Sequence, residues 1–373
     1  MKSAKVAEVR IKHNGVDLET KGIIIEYVLS RCHHLYYVPF VEISMIDSKG
    51  YFGTNGITDY TALEVYQGSD TGVDDPTEWT TYLKLSCNPF TLGGVRGYKF
   101  TGYLAGAHQY LMERVKKKFS GTSNSIIQEI ALECGMQAVT ATTFDPQDRW
   151  SQNKTWAEFV YQDIIPHAYC RDDSCLLIGV DFDGIIRVPD ISRIMRGSPV
   201  ALFSNVMAPG IDYLAAEWSE KSNSGLLNKQ AGWGMKTIEN NIVTGVRKVF
   251  DAINVSKKER SIDVDPRAQV TSSIHLPTLN VGNVNDNHSK ATHQNKRMKS
   301  LFSSTTEILT RSPTKVEMFN LIKFSAYNGT DLLSTSSGFF VAVGKARYTS
   351  QKEYAEKLIV TRNSTNASEG TSE

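Results

Sequence analysis

His167, Cys170 and Cys175 form an H-x-x-C-x-x-x-x-C pattern, the residue types that hold a soft metal through imidazole and thiolate. A closed structural zinc site needs a further Cys-rich pair, and none accompanies them. The expectation is therefore two packed cysteines on either side of a turn at Arg171–Ser174. His33-His34 follow Cys32 within LSRCHHLYYV, where apolar neighbours predict a strand that carries imidazoles without a metal or acid/base role. Asp181-Phe182-Asp183-Gly184 opens like a calcium loop, but no glutamate stands at the twelfth position and Asp190 is the nearest acid. A hairpin turn is expected there instead. Asp181, Asp183 and Asp190 are also the carboxylates that a glycosidase would have to pair. There is no G-x-S-x-G elbow, no G-x-x-x-x-G-K-[ST] loop and no G-x-G-x-x-G turn. Lys116-Lys117-Lys118 and Lys296-Arg297-Met298-Lys299 read as solvated faces. The expectation is that no catalytic, cofactor-binding or metal residue exists and that the chain is not an enzyme.

Composition points the same way. The 373 residues carry a formal net charge of +1, too balanced for a dedicated nucleic-acid binder, which needs a cationic excess to neutralise phosphates. With 40% hydrophobic and 22% charged residues, the chain is predicted to be globular, with two or three domains. No stretch reaches the ~18 consecutive apolar residues of a membrane-spanning helix, so no membrane span is expected. The opening MKSAKVAEVRIKHNG lacks the apolar run of a signal peptide. Five cysteines are an odd and sparse set, which argues against a disulfide framework and for synthesis in a reducing cytosol. The sequons at Asn254, Asn328 and Asn363 carry little weight in that setting.

These side chains sit on elements that the hydrophobic period predicts. From Lys5 to about Lys99 the pattern alternates, giving strands near Val6–Lys12, Gly22–Ser30, Pro39–Met45, Leu63–Tyr66 and Tyr82–Ser86, with turn residues between them. Tyr98–Phe119 fits neither period and is read as strand. Ser125-Ile-Ile-Gln128 and Thr155-Trp-Ala-Glu158 both match a capping box, in which residue N3 and the N-cap satisfy each other's amides. The first helix is expected to end at Gly135 and the second at Pro166. Cys175–Phe182 and Ile185–Val188 flank Asp183-Gly184, a strong hairpin signal because both central residues tolerate positive φ. Strands close the chain at Val316–Tyr327, Gly338–Tyr348 and Glu353–Arg362. Asn254–Gln269 and Asn280–Asn295 read as exposed loops, Ser289–Lys299 as a short basic helix, and Asn363–Glu373 as a disordered tail.

The middle of the chain resembles a known family. Asp145–Val160, with Trp150, Gln152, Thr155, Trp156 and Phe159, is similar to the Q-x-x-x-T-x-W-x-F-L-type signature of phage tail hub proteins. These are the baseplate hubs of contractile tails, the late control protein D-like group, similar also to the base of type VI secretion spikes. Phe119–Ile127 resembles the family's G-T-S-x-x-I-I segment, and Asp183-Gly184 stands where its hairpin turns. His288–Asn295 is like its A-x-x-Q-N segment. Gly338–Val341 and Tyr354–Asn363, with Arg362, resemble its closing hairpin. The likeness covers about residues 120–370, whereas the first strands are only consistent with it. Thr155 stands where the family usually has an acid.

The resemblance implies an α+β, mostly β fold with two tube-like β-barrel domains. Their expected extents are 1–112 for the first barrel, 113–207 for an α+β middle domain, 208–362 for a second barrel with long loops, and 363–373 for the tail. It further implies a homotrimer without cofactors, the structural hub of a phage tail baseplate. Its partners would be a central spike protein, the tail tube or tube-initiator protein, the C-terminus of the tape-measure protein and baseplate wedge proteins. DNA would only pass through the channel. Localisation would be the virion, with assembly in the host cytoplasm. Two other readings stand beside it: another distal tail component of the same virion, and a carbohydrate-active tail enzyme that degrades cell wall.

Overall fold

A computed structural model describes residues 7–69, 79–145, 147–151, 153–171, 174–222, 237–241, 247–250, 278–280 and 304–362. Gln152, the basic-helix reading at Ser289–Lys299, the A-x-x-Q-N segment and the tail lie outside the described residues, as do the two loop readings but for Asn280. The expected class forms: α+β and mostly β. Among the described residues no helix is long and apolar enough to cross a membrane.

Six strands make the first ring. Ile23–His33 pairs with Phe40–Asp47, which pairs with Val95–Leu104. Thr80–Leu92 follows, then Ala62–Ser69, then Ala7–His13, every pairing antiparallel. Alternation puts one side chain in two inward, and Ile11, Ile25, Ile43, Leu63 and Phe100 are all fully buried in one cluster. The ladder ends at Ala7–His13 and leaves the ring open between that strand and Ile23–His33, and a side chain from Ala62–Ser69 reaches across to Ile23–His33. Gln67 Nε2 donates to Val28 O at 3.1 Å, and Ser30 Oγ donates to the amide oxygen of Gln67.

The second ring is built from sequence-distant pieces. Ala201–Ser204 lies parallel to Leu321–Ser325, which pairs with the start of Gly338–Ser350. Gly338–Ser350 pairs with Tyr354–Arg362, which pairs with Ser304–Thr310, which pairs with Glu217–Ser222. The chain then crosses between neighbours: Ala216 N donates to Leu309 O and Ala215 N to Ser204 O, both at 2.8 Å. Tyr213–Leu214 completes the circuit beside Phe203–Ser204. Phe203, Ile308, Phe324, Phe340 and Leu358 fill its interior at 0% exposure. The two expected barrels thus take the form of two strand rings within one fourteen-stranded sheet, and among the described residues neither is closed by an unbroken ladder.

One strand belongs to both rings. Gly338–Val341 pairs with Leu321–Phe324, and Gly344–Ser350 then pairs with His33–Tyr27 of the first ring. The change of neighbour falls at a bulge between Ala342 and Gly344. A Cβ at Gly344 would run into the His33 ring and lie 3.3 Å from Cys32 O, so only glycine lets the two backbones approach here.

Between the rings sits the α+β block. Helix Ser123–Glu133 packs its Ile126, Ile127, Ile130 and Ala131 against Trp156, Phe159 and Ile164. Parallel pairing of Gln137–Thr140 with Ile185–Val188, and antiparallel pairing of the latter with Gly179–Val180, make a small sheet.

Three expectations need correction. Tyr98–Phe119 is not one strand: Val95–Leu104 gives way to a 3-10 turn at Ala105–Ala107 and a helix at His108–Met112. Ser125 is not a cap, because the helix already begins at Ser123. Its free amides are satisfied from outside, Ser123 N by Asp145 Oδ1 at 3.1 Å and Asn124 N by Thr143 Oγ1 at 3.0 Å. The hairpin forms, but over the four residues Asp181–Gly184, with Gly184 N bonded to Asp181 O at 2.9 Å. In it Gly184 has a positive φ of 77° and Asp183 does not.

Candidate functional site

The Thr155 capping box forms as its spacing predicts: Glu158 N donates to Thr155 Oγ1 at 3.2 Å, and Thr155 N to Glu158 Oε2 at 2.9 Å. The helix continues as a π turn at Val160–Ile164 and ends in a 3-10 turn at Ile165–His167 that contains Pro166. Trp156 is 4% exposed, crosses edge to face with Phe119 at 6.0 Å, and donates its indole N–H to Glu113 Oε2 at 3.3 Å. Phe159 is fully buried beside the same Phe119 ring. Trp150 lies on Gln147–Trp150, which pairs with Lys118–Gly121. Trp156 and Phe159 lie in the apolar core of the middle block.

The remaining motif residues gather elsewhere. Gly338 opens the shared strand at φ 145°. Arg362 is 3% exposed, with its guanidinium over Phe340 at 4.5 Å, donating to Ser337 O at 2.6 Å and to Thr335 O. Tyr354 donates its hydroxyl to Glu356 Oε2 at 3.0 Å.

Glu356 is the centre of a charged junction that sequence reading did not anticipate. It is fully buried. Its Oε1 accepts from Thr314 N at 3.1 Å and the Thr314 hydroxyl, and lies 3.3 Å from Lys345 Nζ. Its Oε2 meets Arg347 Nε at 3.2 Å. Lys345 Nζ also donates to Val316 O at 2.9 Å. Burial draws the Lys345 ammonium below its ordinary pKa, against the opposing pull of Glu356.

The junction reaches all three bodies. The Arg347 guanidinium stacks over Phe182 of the hairpin at 4.9 Å, and Arg347 O accepts from Gln67 Nε2 of the first ring at 3.3 Å. Asp181 in the same hairpin accepts from Met318 N at 2.7 Å and from the Cys32 thiol at 3.5 Å. Burial, with Asp181 adding to it, pushes that thiol well above its usual pKa. Next to Met318, Phe319 holds a left-handed φ of 68°, costly for an aromatic residue, with its N–H bonded to Ala342 O at 2.6 Å. Cys32, Cys175, Met318, Phe319, Val341 and Val343 share one apolar cluster beneath these charges. The arrangement locks parts together; its donors and acceptors face one another and not a cleft.

The groups that resemble chemistry have structural partners. Asp190 caps the helix Ile191–Ile194 through Ser192 N and also binds Cys175 N and Arg171. Asp183 forms a two-point pair with Arg187. Cys170 and Cys175 are both buried, outside any disulfide, on either side of the turn at Arg171–Ser174, and burial pushes the Cys170 thiol up to about 12. His167 Nδ1 lies 2.9 Å from Asp163 O. The rings of His33 and His34 lie 4.6 Å apart at a tilt of 40°, and burial, with His33 adding to it, lowers His34 to about 3.

No protein-family model matches the sequence, and no curated protein matches it either. Solved structures do. A tail protein from Neisseria meningitidis MC58 aligns over 98% of this chain and 99% of its own length, at 11% identity and a TM-score of 0.59. The 43 kDa tail protein of prophage MuSo2 from Shewanella oneidensis aligns over 96% and 99%, at 12% identity and 0.61. The Escherichia coli c3393 protein, a type VI secretion component described as structurally similar to the T4 tail proteins gp27 and gp5, aligns over 94% and 76%, at 8% identity and 0.51. End to end, the chain has the fold of these phage tail proteins.

Proposed function

We propose that this chain is the structural hub of a phage tail baseplate, a homotrimer that joins the tail tube to the central spike. One observation carries the reading: a single strand, Gly338–Ser350, hydrogen-bonds the two strand rings into one sheet. Each chain then contributes two tube-like units, and three chains supply six around an axis. A hexameric tube meets that pseudo-sixfold face, and a trimeric spike meets the threefold one. The tape-measure C-terminus and the baseplate wedge proteins are the other partners of this reading, with DNA only in transit past a nearly neutral chain. The subunits assemble in the host cytoplasm and end in the virion.

A non-enzymatic role is supported by what the carboxylates do. Asp181, Asp183 and Asp190, the residues a glycosidase reading would need, are occupied by the chain's own amides and guanidinium groups.

Light scattering on the purified chain, alone and with its spike, tests the assembly. The expected mass is three chains with a central channel in negative-stain images. A stable single-chain mass under both conditions refutes the ring. A channel-free oligomer favours another distal tail component, and release of reducing sugar from cell-wall material, abolished by Asp183→Asn, favours the enzyme.

A further inference from the structure

Three non-glycine residues among the described ones have a positive φ. Two, Asn14 and Asn153, are asparagines, which tolerate it; the third is Phe319 at 68°. Phe319 stands in the turn Glu317–Asn320, closed by Asn320 N donating to Glu317 O at 3.1 Å. It occupies the third position with the φ sign of a type II turn, which ordinarily calls for glycine there.

Both ends of this turn are pinned. Met318 N donates to Asp181 Oδ2 at 2.7 Å, and the Glu317 carboxylate meets Arg187 at 3.0 Å, both in the hairpin segment of the middle block. Asn320 O accepts from Ala342 N at 2.9 Å. The central peptide, Met318–Phe319, is tied by Phe319 N donating to Ala342 O at 2.6 Å. Ala342 belongs to the bulge at which the shared strand passes from one ring's ladder to the other's. Met318, Phe319 and Asn320 also form one wall of a groove of about 580 Å³ that runs past Val139–Phe144 and the Ile191–Ile194 helix. One side of the strained turn therefore borders open space.

We propose that this turn is a latch on the joint between the rings. Rotation of the Met318–Phe319 peptide, the exchange between a type II and a type I turn, carries Phe319 to a negative φ and releases Ala342 O. The exchange trades a hydrogen bond for relief of left-handed strain, two contributions of the same order, so the states lie close in free energy. A buried carbonyl left without its donor keeps the open state the minor one. The pinned ends hold in both states. Closed, the latch ties the bulge to the turn and the joint is stiff; open, the bulge can shift and the rings can turn against each other. Torsion between the rings loads the bond to Ala342 O and so favours opening. The device lies within one chain and does not depend on the trimer.

Amide hydrogen exchange on the full chain, resolved residue by residue, is the test. The Phe319 amide is expected to exchange about tenfold faster than those of Met318 and Asn320, through an opening that urea barely accelerates because little surface is exposed. Phe319→Gly and Phe319→Ala both delete the ring and differ in the cost of the left-handed angle. The amide at position 319 should therefore exchange about tenfold faster in the alanine variant than in the glycine variant. Amides of Val343–Ala346, beside the bulge, should follow the same order, whereas that of Leu358 should not. Equal exchange across Met318–Asn320, or a steep urea dependence, means that the turn opens only with the fold and overturns the proposal. So does an alanine variant no faster than the glycine one, or a Val343–Ala346 segment that ignores both. If neither variant folds, the wild-type pattern at Met318, Phe319 and Asn320 decides.

Discussion

Removing the carboxylate of Glu356 should cost more stability than any surface change in this protein. In Glu356→Ala the Lys345 ammonium, 5% exposed, keeps only the carbonyls of Thr314 and Val316, and Arg347 loses its partner at 3.2 Å. The Thr314 amide and the Tyr354 hydroxyl lose an acceptor as well. Breaking a buried ion pair from one side typically costs ~3–5 kcal/mol, a large part of a domain's ~5–15 kcal/mol. Glu356→Gln keeps oxygen and shape but not charge, so it should cost less than the alanine. Adding Lys345→Met to Glu356→Gln should recover part of the loss, because the stranded cation is gone. The coupling expected for groups in one network is ~0.5–3 kcal/mol. Urea unfolding followed by tryptophan fluorescence measures all three variants, at one protein concentration because association shifts apparent stability. If Glu356→Ala costs under ~1 kcal/mol, or the double variant is no better than Glu356→Gln, the junction is not what holds the bodies together.

Trp156→Ala should yield unstable or insoluble protein, since emptying a buried indole site costs ~3–5 kcal/mol; a soluble variant with an unchanged melting temperature would contradict the packing around Phe119. Thr155→Ala removes one half of a capping box and should lower stability by ~1 kcal/mol, read by the same urea titration. His34 is lowered to about 3 by burial, so the unfolded chain takes up its proton first as pH falls. Stability should be complete above pH ~6.5 and decline from there towards pH 3, at up to ~1.4 kcal/mol per pH unit, and His34→Gln should flatten that decline. Cys170→Ser with Cys175→Ser should still assemble, and elemental analysis should find no stoichiometric metal; about one zinc per chain, lost together with assembly, would reverse that reading.

What the sequence makes legible is local. Thr155 and Glu158 recognise each other across three residues, so their pattern is enough to place the helix start. Ser125 misleads because the true cap comes from Asp145 and Thr143, some twenty positions on, and no i,i+3 spacing encodes that. Tyr98–Phe119 shows no period because it runs through five short elements: the end of Val95–Leu104, a 3-10 turn, the helix His108–Met112, the short strand Arg114–Val115 and the start of Lys118–Gly121. Gly338–Ser350 reads easily as a strand, but its change of partner at Gly344 depends on the approach of His33, a contact between distant segments. Lys345, Arg347 and Glu356 look like solvent-facing charges on two alternating strands. Their burial becomes visible only when Thr314 and the hairpin at Phe182 cover them.

The sharing of Gly338–Ser350 has a mechanical consequence. Two rings joined by a flexible tether would swing independently, and load applied to one would first take up slack. Here a pull along the strand from the first ring passes from the ladder at Gly344–Ser350 to the one at Gly338–Val341 through a single backbone. Within each ladder the rungs are loaded in shear together, not peeled one at a time. Twisting one ring against the other strains the Ala342–Gly344 bulge, where the backbone has little room to yield. The chain therefore behaves as a stiff coupling, in which displacement at one ring arrives at the other with little loss.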